Sequence, residues 1–307
     1  MRSGRVPILI TAFNRPDKFK RVIDSLVGLD NEIFVWFDGP RVGTNDLDQI
    51  DISVNFAESS QLKIEKIIQN PKNIGTNSVA IGISWILNQF ESVIVLEEDV
   101  LVSHAFIRFA EEMLDMYKDD FRIGSITSMN PVPHSHISQP EKLYRFSGFF
   151  YAWGWATWAS RWNKMPDGTS HWDYSEINWP RTARNRLSQS RWLSGMNAVR
   201  DGSAPGLWDY RWIYCYWVNR WLTIVPNSNL GTNIGFDLDA THTYRKPDWL
   251  PEEISTNLVG TRLENGVKVS QDVKADKWAA RNIHSSSFLV VLKTRLKNYL
   301  NLIFSSK

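Results

Sequence analysis

Glu97, Glu98 and Asp99 stand side by side between the apolar runs VIVL (93–96) and VLV (100–102), with no basic residue beside them in the sequence. Adjacent carboxylates repel one another unless a cation compensates, and hard oxygen donors at the end of a buried strand suit Mn2+ or Mg2+. The competing reading sends Glu97 and Glu98 into solvent and uses Asp99 to cap a helix expected over HAFIRFAEEML (104–114). Two further polar clusters, TAFNR (11–15) and DGPR (38–41), follow apolar runs in the same way.

The elements that position these clusters are legible from periodicity. VPILITAF (6–13) and EIFVWFDG (32–39) read as strands. RPDKFKRVIDSLVGL (15–29) places Phe19, Val22, Ile23 and Leu26 at helical spacing. QLKIEKIIQN (61–70) is a third segment of open type, and SVAIGISWILNQF (78–90) reads as a buried helix leading into a strand over VIVLEEDVLV (93–102). This βαβ alternation implies an α/β fold with a mostly parallel sheet, and such sheets bind ligands at the carboxyl ends of their strands. The three polar clusters fall at those ends. A nucleotide suits such a crevice, yet neither GxxxxGK[ST] nor a GxGxxG after the first strand occurs, which turns attention to a carboxylate-held metal for charge neutralisation.

The chain of 307 residues is 43% hydrophobic and carries a net charge of +2, too balanced for wholesale nucleic-acid binding. Its single cysteine, Cys215, excludes an intramolecular disulfide and reads as a reduced core thiol, which suits a cytoplasmic protein. Of fifteen tryptophans, most lie between residues 150 and 250, either as core or as stacking faces for sugars and bases. A change of texture near residue 130 divides the chain into a ligand-binding half (1–130) and an aromatic-rich half (131–285). In the remaining segment (286–307), Leu289, Leu292, Leu296, Leu300 and Ile303 recur at helical spacing among Lys293, Arg295 and Lys297. That amphipathic basic pattern fits packing on the domain or peripheral contact with an anionic membrane.

The ordered series TAFNRP, EED, AWGWATW (152–158), WDYRW (208–212) and NIGFDLDATHT (233–243) resembles GT-A glycosyltransferases over residues 6–243. The likeness is to bacterial glycosyltransferase family 2 or hemolysin-like proteins, related to the N-acetylglucosaminyltransferase that begins N-glycan branching. It implies a Rossmann-like nucleotide-binding half fused to an acceptor half, and an inverting, metal-dependent transfer from a nucleotide sugar, UDP-linked, to a glycan or lipid-linked acceptor in surface polysaccharide assembly. By the same resemblance Thr11, Ala12, Phe13, Arg15, Asp38, Asn73, Gly75 and Asn77 line the nucleotide pocket. Gly154 and Trp155 shape the floor under the donor sugar, with Glu97 and Glu98 beside it. Asp99 and His242 are the implied metal ligands and Asp209 the implied base, with Asp237 and Asp239 as weaker candidates. Trp208 and Trp212 are the expected acceptor-stacking rings. The middle acid departs from the commoner EDD, and its longer arm places direct ligation by Glu98 in doubt. Bland readings stand beside these: Asp38-Gly39-Pro40 as a turn, KNIG as a loop, Asp209 as an N-cap. A sugar nucleotidyltransferase or a non-catalytic carbohydrate-binding protein are the alternatives in other classes.

Overall fold

In a computed structural model the described residues are 5–166, 168–170, 172–184, 186–204, 206–236, 246–251, 253–258, 260 and 267–284. The chain opens with β1 (Ile8–Ala12), α1 (Pro16–Ser25), β2 (Ile33–Phe37), α2 (Asp46–Glu58), β3 (Ile64–Gln69), α3 (Asn77–Leu87) and β4 (Ser92–Glu97). Then come β5 (Val100–Val102), α4 (His104–Met116), β6 (Ile123–Thr127), β7 (Tyr144–Ser147), β8 (Trp155–Trp158) and α5 (Ala159–Trp162). The last elements are α6 (Arg186–Arg200), α7 (Trp208–Val218), β9 (Leu222–Pro226), β10 (Gly231–Asn233) and α8 (Val273–Asn282).

One eight-stranded sheet, in the order β3-β2-β1-β4-β8-β6-β9-β7, runs through the whole α/β fold. β3, β2, β1 and β4 are mutually parallel, and β6 and β9 are parallel to each other. β8 lies antiparallel between β4 and β6, and β7 is antiparallel to β9 at the edge. The expected mostly parallel sheet is therefore present, with strands from both sides of residue 130 in it. The open segment at 61–70 is an edge strand, β3, whose residues are only partly covered.

The period of two in each strand divides the core into two layers. Ile8, Ile10, Ile33, Val35, Ile94 and Leu96 face the layer that holds Phe19 and Val22 of α1 and Phe106 and Phe109 of α4. Leu9, Phe34, Trp36, Val93 and Val95 face Ile83 and Ile86 of α3 and the tryptophans of α7. Both faces are thus covered, which is why these strands read as continuous apolar runs.

The strand expected over 93–102 is broken at the acids. β4 ends at Glu97, Glu98 and Asp99 form a turn, and β5 pairs with β10 in a separate two-stranded sheet. Asp99 does not cap α4, whose N-cap is Ser103.

Candidate active site at the strand ends

Because β1, β2 and β4 are parallel, residues 13–15, 38–41 and 98–99 leave the sheet at one edge. Between them and α3 lies a cleft of about 240 Å3. Of the residues expected there, Thr11, Ala12, Phe13, Arg15, Asp38, Asn73, Gly75, Glu97 and Glu98 line it, whereas Asn77, Gly154 and Trp155 do not. Trp36, Arg41, Ser78 and Val79 also line it and were missed by the sequence reading. Trp36 was readable only as one more apolar strand residue. The signal for Arg41 was its place in DGPR at a strand end.

The acid turn does have a basic neighbour, supplied from 83 residues away. Arg15 Nε lies 2.6 Å from Glu98 Oε1 and its Nη2 lies 2.9 Å from Asp99 Oδ2. The other oxygen of Glu98 accepts from the Phe13 amide at 2.6 Å. Burial disfavours the Arg15 charge, but Glu98 and Asp99 outweigh it and hold the guanidinium above its usual range. Burial likewise raises Glu98, opposed by Arg15. Arg15 is therefore committed to the two acids as well as lining the cleft.

Asp99 is covered by the end of β10 and the two residues after it. Asn233 donates to its Oδ1 at 3.2 Å, the Ile234 amide donates to its backbone carbonyl at 2.8 Å, and Gly235 lies against its carboxylate and Arg15. A Cβ at Gly235 would overlap Asp99 Oδ2, so no larger residue fits there without a shift.

Glu97 is in a different position. Burial pushes its carboxyl up to about 8, and Asp99, Asp209 and Glu98 add repulsion that Arg15 only partly offsets. The carboxylate oxygens of the acid turn are donors of the kind that a divalent cation takes. Among the described residues no group of three or more His, Cys, Asp or Glu side chains could hold a metal, so an incoming ligand and water would have to complete its shell.

Asp38 serves the opposite wall. Its carboxylate accepts from the amides of Gly39 (2.9 Å), Ile74 (3.0 Å) and Gly75 (2.9 Å) and from Asn73 Nδ2 (2.9 Å), which ties the 73–75 loop to the end of β2. The rim is built by Asp46, a residue without a sequence signal: it accepts from Asn14 Nδ2 at 2.7 Å and from Arg41 Nε at 2.7 Å. Arg41 in turn lies 5.2 Å over the Phe13 ring.

Asp209 comes from the second half of the chain. α7 starts at Trp208 with Leu207 as N-cap, so Asp209 sits inside the first turn and the N-cap reading falls. Its charge is among those that raise Glu97, and Thr76, which lines the cleft, holds the Gly206 carbonyl three residues before it. α7 is docked on the start of α3 by hydrogen bonds from Thr76 Oγ1 to the Gly206 carbonyl and from Arg211 Nη2 to Asn77 Oδ1 (2.7 Å). Asn77 therefore anchors the helix rather than lining the cleft.

The aromatic expectations need correction. Trp155, Trp208 and Trp212 are 1%, 6% and 0% exposed. Trp155 stacks on Trp208 at 5.9 Å, and Trp212 packs among Phe150, Trp162 and Trp221. Rings enclosed by other rings offer no face to a sugar, so these three are core. Gly154, at φ +65°, is also enclosed, and a Cβ there would crowd Ser128 and Val102. His242, Asp237 and Asp239 lie outside the described residues.

No family model matches the chain, and no curated protein matches it. Among solved structures it is similar to the mannosyltransferase PcManGT from Pyrobaculum calidifontis in complex with GDP-Man and Mn2+, at 14% identity over 69% of each chain with a TM-score of 0.40. It is similar to mannose-1-phosphate geranyltransferase from Thermus thermophilus, at 12% identity over 73% of this chain and 74% of that one with a TM-score of 0.34. Mouse xyloside xylosyltransferase 1 in its apo form follows at 14% identity over 42% of this chain and 55% of that one, with a TM-score of 0.29. Likenesses this distant carry no functional argument, which rests on the site itself.

Proposed function

We propose that the chain is an inverting, divalent-metal-dependent GT-A glycosyltransferase that moves a hexosyl or N-acetylhexosaminyl group from a UDP-sugar to a glycan or lipid-linked acceptor in surface polysaccharide assembly. The observation that carries the reading is a cleft at parallel strand ends lined by Glu97 and Glu98 of the acid turn; Asp209 joins it as the base implied by the motif resemblance.

The donor's base and ribose enter between Phe13, Trp36 and the 73–75 loop, which Asp38 holds in place. Arg41, on the rim over Phe13, provides positive charge for the diphosphate. Glu97 and Asp99 would hold Mn2+ or Mg2+, with His242 the further ligand implied by the motif resemblance. When bound, the metal supplies Lewis-acid stabilisation of the departing diphosphate. Arg15 fixes Glu98 and Asp99, offsetting their mutual repulsion within the acid turn. Asp209 takes the proton from the acceptor hydroxyl as that oxygen attacks the anomeric carbon opposite the leaving group, inverting its configuration.

Asp209→Asn tests this reading. The amide keeps the shape but has almost no basicity, so transfer from the UDP-sugar selected in a donor screen should fall about 10²–10⁴-fold. UDP affinity in Mn2+, measured by calorimetry, should stay near wild type. Near-normal transfer by the variant would return Asp209 to a structural role at the helix start.

A further inference from the structure

With Trp155, Trp208 and Trp212 enclosed, aromatic contact to an acceptor has to come from elsewhere. β8 runs antiparallel to β4 with Trp155 opposite Val95, so the residues just before Trp155 reach the sheet edge where Glu97 ends β4. Gly154 turns the chain there, with φ +65° and its carbonyl accepting from the Ser128 amide at 2.7 Å. Trp153 is thereby left half-buried between the two core layers.

Its ring stacks on Trp249 at 5.9 Å with 18° between planes and meets Phe236 edge-on at 5.7 Å and 74°. Trp249 and Phe236 are half-buried too. Phe236 directly follows Gly235, the residue laid against Asp99 and Arg15. In the sheet order β2-β1-β4-β8, the cleft belongs to β1 and β2, the acids to the end of β4, and Trp153 to the start of β8. The three rings therefore flank the acid turn on the side away from the cleft.

We propose that Trp153, Phe236 and Trp249 form the sugar-stacking wall of the acceptor subsite and that the acceptor is a pyranoside with an axial C–H face. The proposal rests on the glycosyl-transfer reading. Two stacked indoles and an edge-on phenyl make an apolar corner that gains from C–H contact with a ring face. An open-chain polyol with the same hydroxyls has no such face, and an anionic ligand finds no partner in the rings themselves.

Saturation-transfer NMR on the full chain tests the wall, with methyl β-D-glucopyranoside, methyl β-D-galactopyranoside and xylitol as probes. Ring protons of at least one pyranoside should be saturated while xylitol is not, and Trp249→Leu should weaken that binding about 3–10-fold. Phe236→Leu, a smaller change in volume, should act in the same direction and keeps the test available if Trp249→Leu does not fold. Calorimetric UDP affinity in Mn2+ should be unchanged in both. Equal pyranoside binding in wild type and variants, no preference over xylitol, or no saturation at all would overturn the wall. Intact UDP binding without pyranoside saturation would remove the wall and leave the donor reading; variant-sensitive pyranoside binding without UDP binding would do the reverse.

Discussion

Asp46 and Arg15 illustrate what single side chains contribute and why neither role was visible in advance. Arg15 was expected to meet the nucleotide, but its partners lie at Glu98 and Asp99, and such long-range pairing leaves no mark on local sequence. Asp46, with a side chain 1% exposed, organises the cleft rim by holding both Asn14 and Arg41. The hydrogen bonds from Arg41 are the main cause that draws its carboxyl well below the ordinary value of 3.8, against an opposing effect of burial. An acid depressed in the folded state stabilises the fold above its unfolded pKa and loses that contribution as pH falls through the folded value. Asp46→Asn should therefore cost about 1–3 kcal/mol near neutral pH, where a buried acceptor of charged donors is removed. Arg41 is 55% exposed, so water takes back part of the pair and the lower end of that range applies. Urea denaturation of both proteins from pH 7 downward checks this: the gap should narrow once pH drops below about 4. A gap of constant size would show that packing alone, not the ion pair, holds Asp46.

At the scale of elements, the front of the chain was legible because each strand and helix obeys its own period. α1 buries Phe19, Val22 and Ile23 as their spacing requires, and β1, β2 and β4 form in register where the apolar runs stand. The break at Glu98 was not legible, since VLV continues the apolar run and only pairing with β10 shows that it belongs to another sheet. The start of α7 was missed for a related reason: aspartate favours both the N-cap and the first turn, and sequence alone does not separate positions one residue apart. The placement of Asp209 depends on how α7 meets α6. Gly195 of α6 faces the Tyr210 ring, and an added Cβ would overlap that ring. Gly195→Ala should therefore cost about 1–3 kcal/mol through overpacking, although alanine favours a helix more than glycine does. It should also lower transfer by shifting Asp209, the residue before Tyr210. Denaturation midpoints and transfer rates together decide the matter. Wild-type stability would mean that the ring swings aside and that the α6–α7 contact does not set the site.

For the molecule as a whole, tryptophan content announced an aromatic second half but not which rings point inward. Where nearly every position is large and apolar, as in YRWIYCYWVNRW, helical period carries little contrast between faces. Most of these rings prove to be core: Trp155, Trp162, Trp208, Trp212, Trp217 and Trp221 are all buried. Among the described residues no helix is long and apolar enough to cross a membrane, and segment 286–307 lies outside them. Its sequence still makes a physical claim, because leucines at helical spacing with interspersed Lys293, Arg295 and Lys297 gain from an anionic surface through both apolar insertion and charge. Removing residues 286–307 should therefore abolish sedimentation with phosphatidylserine vesicles, and the intact chain should bind them far better than neutral phosphatidylcholine vesicles. Salt should weaken that binding, since each exposed charge is screened within about 10 Å at 0.1 M ionic strength. UDP affinity and the thermal midpoint should survive the deletion, because α8 buries Ala275 and Ala279 in the core before the segment begins. A deletion variant that no longer folds would place the segment's leucines against the domain instead. Equal sedimentation of the two forms would move any membrane contact to another surface.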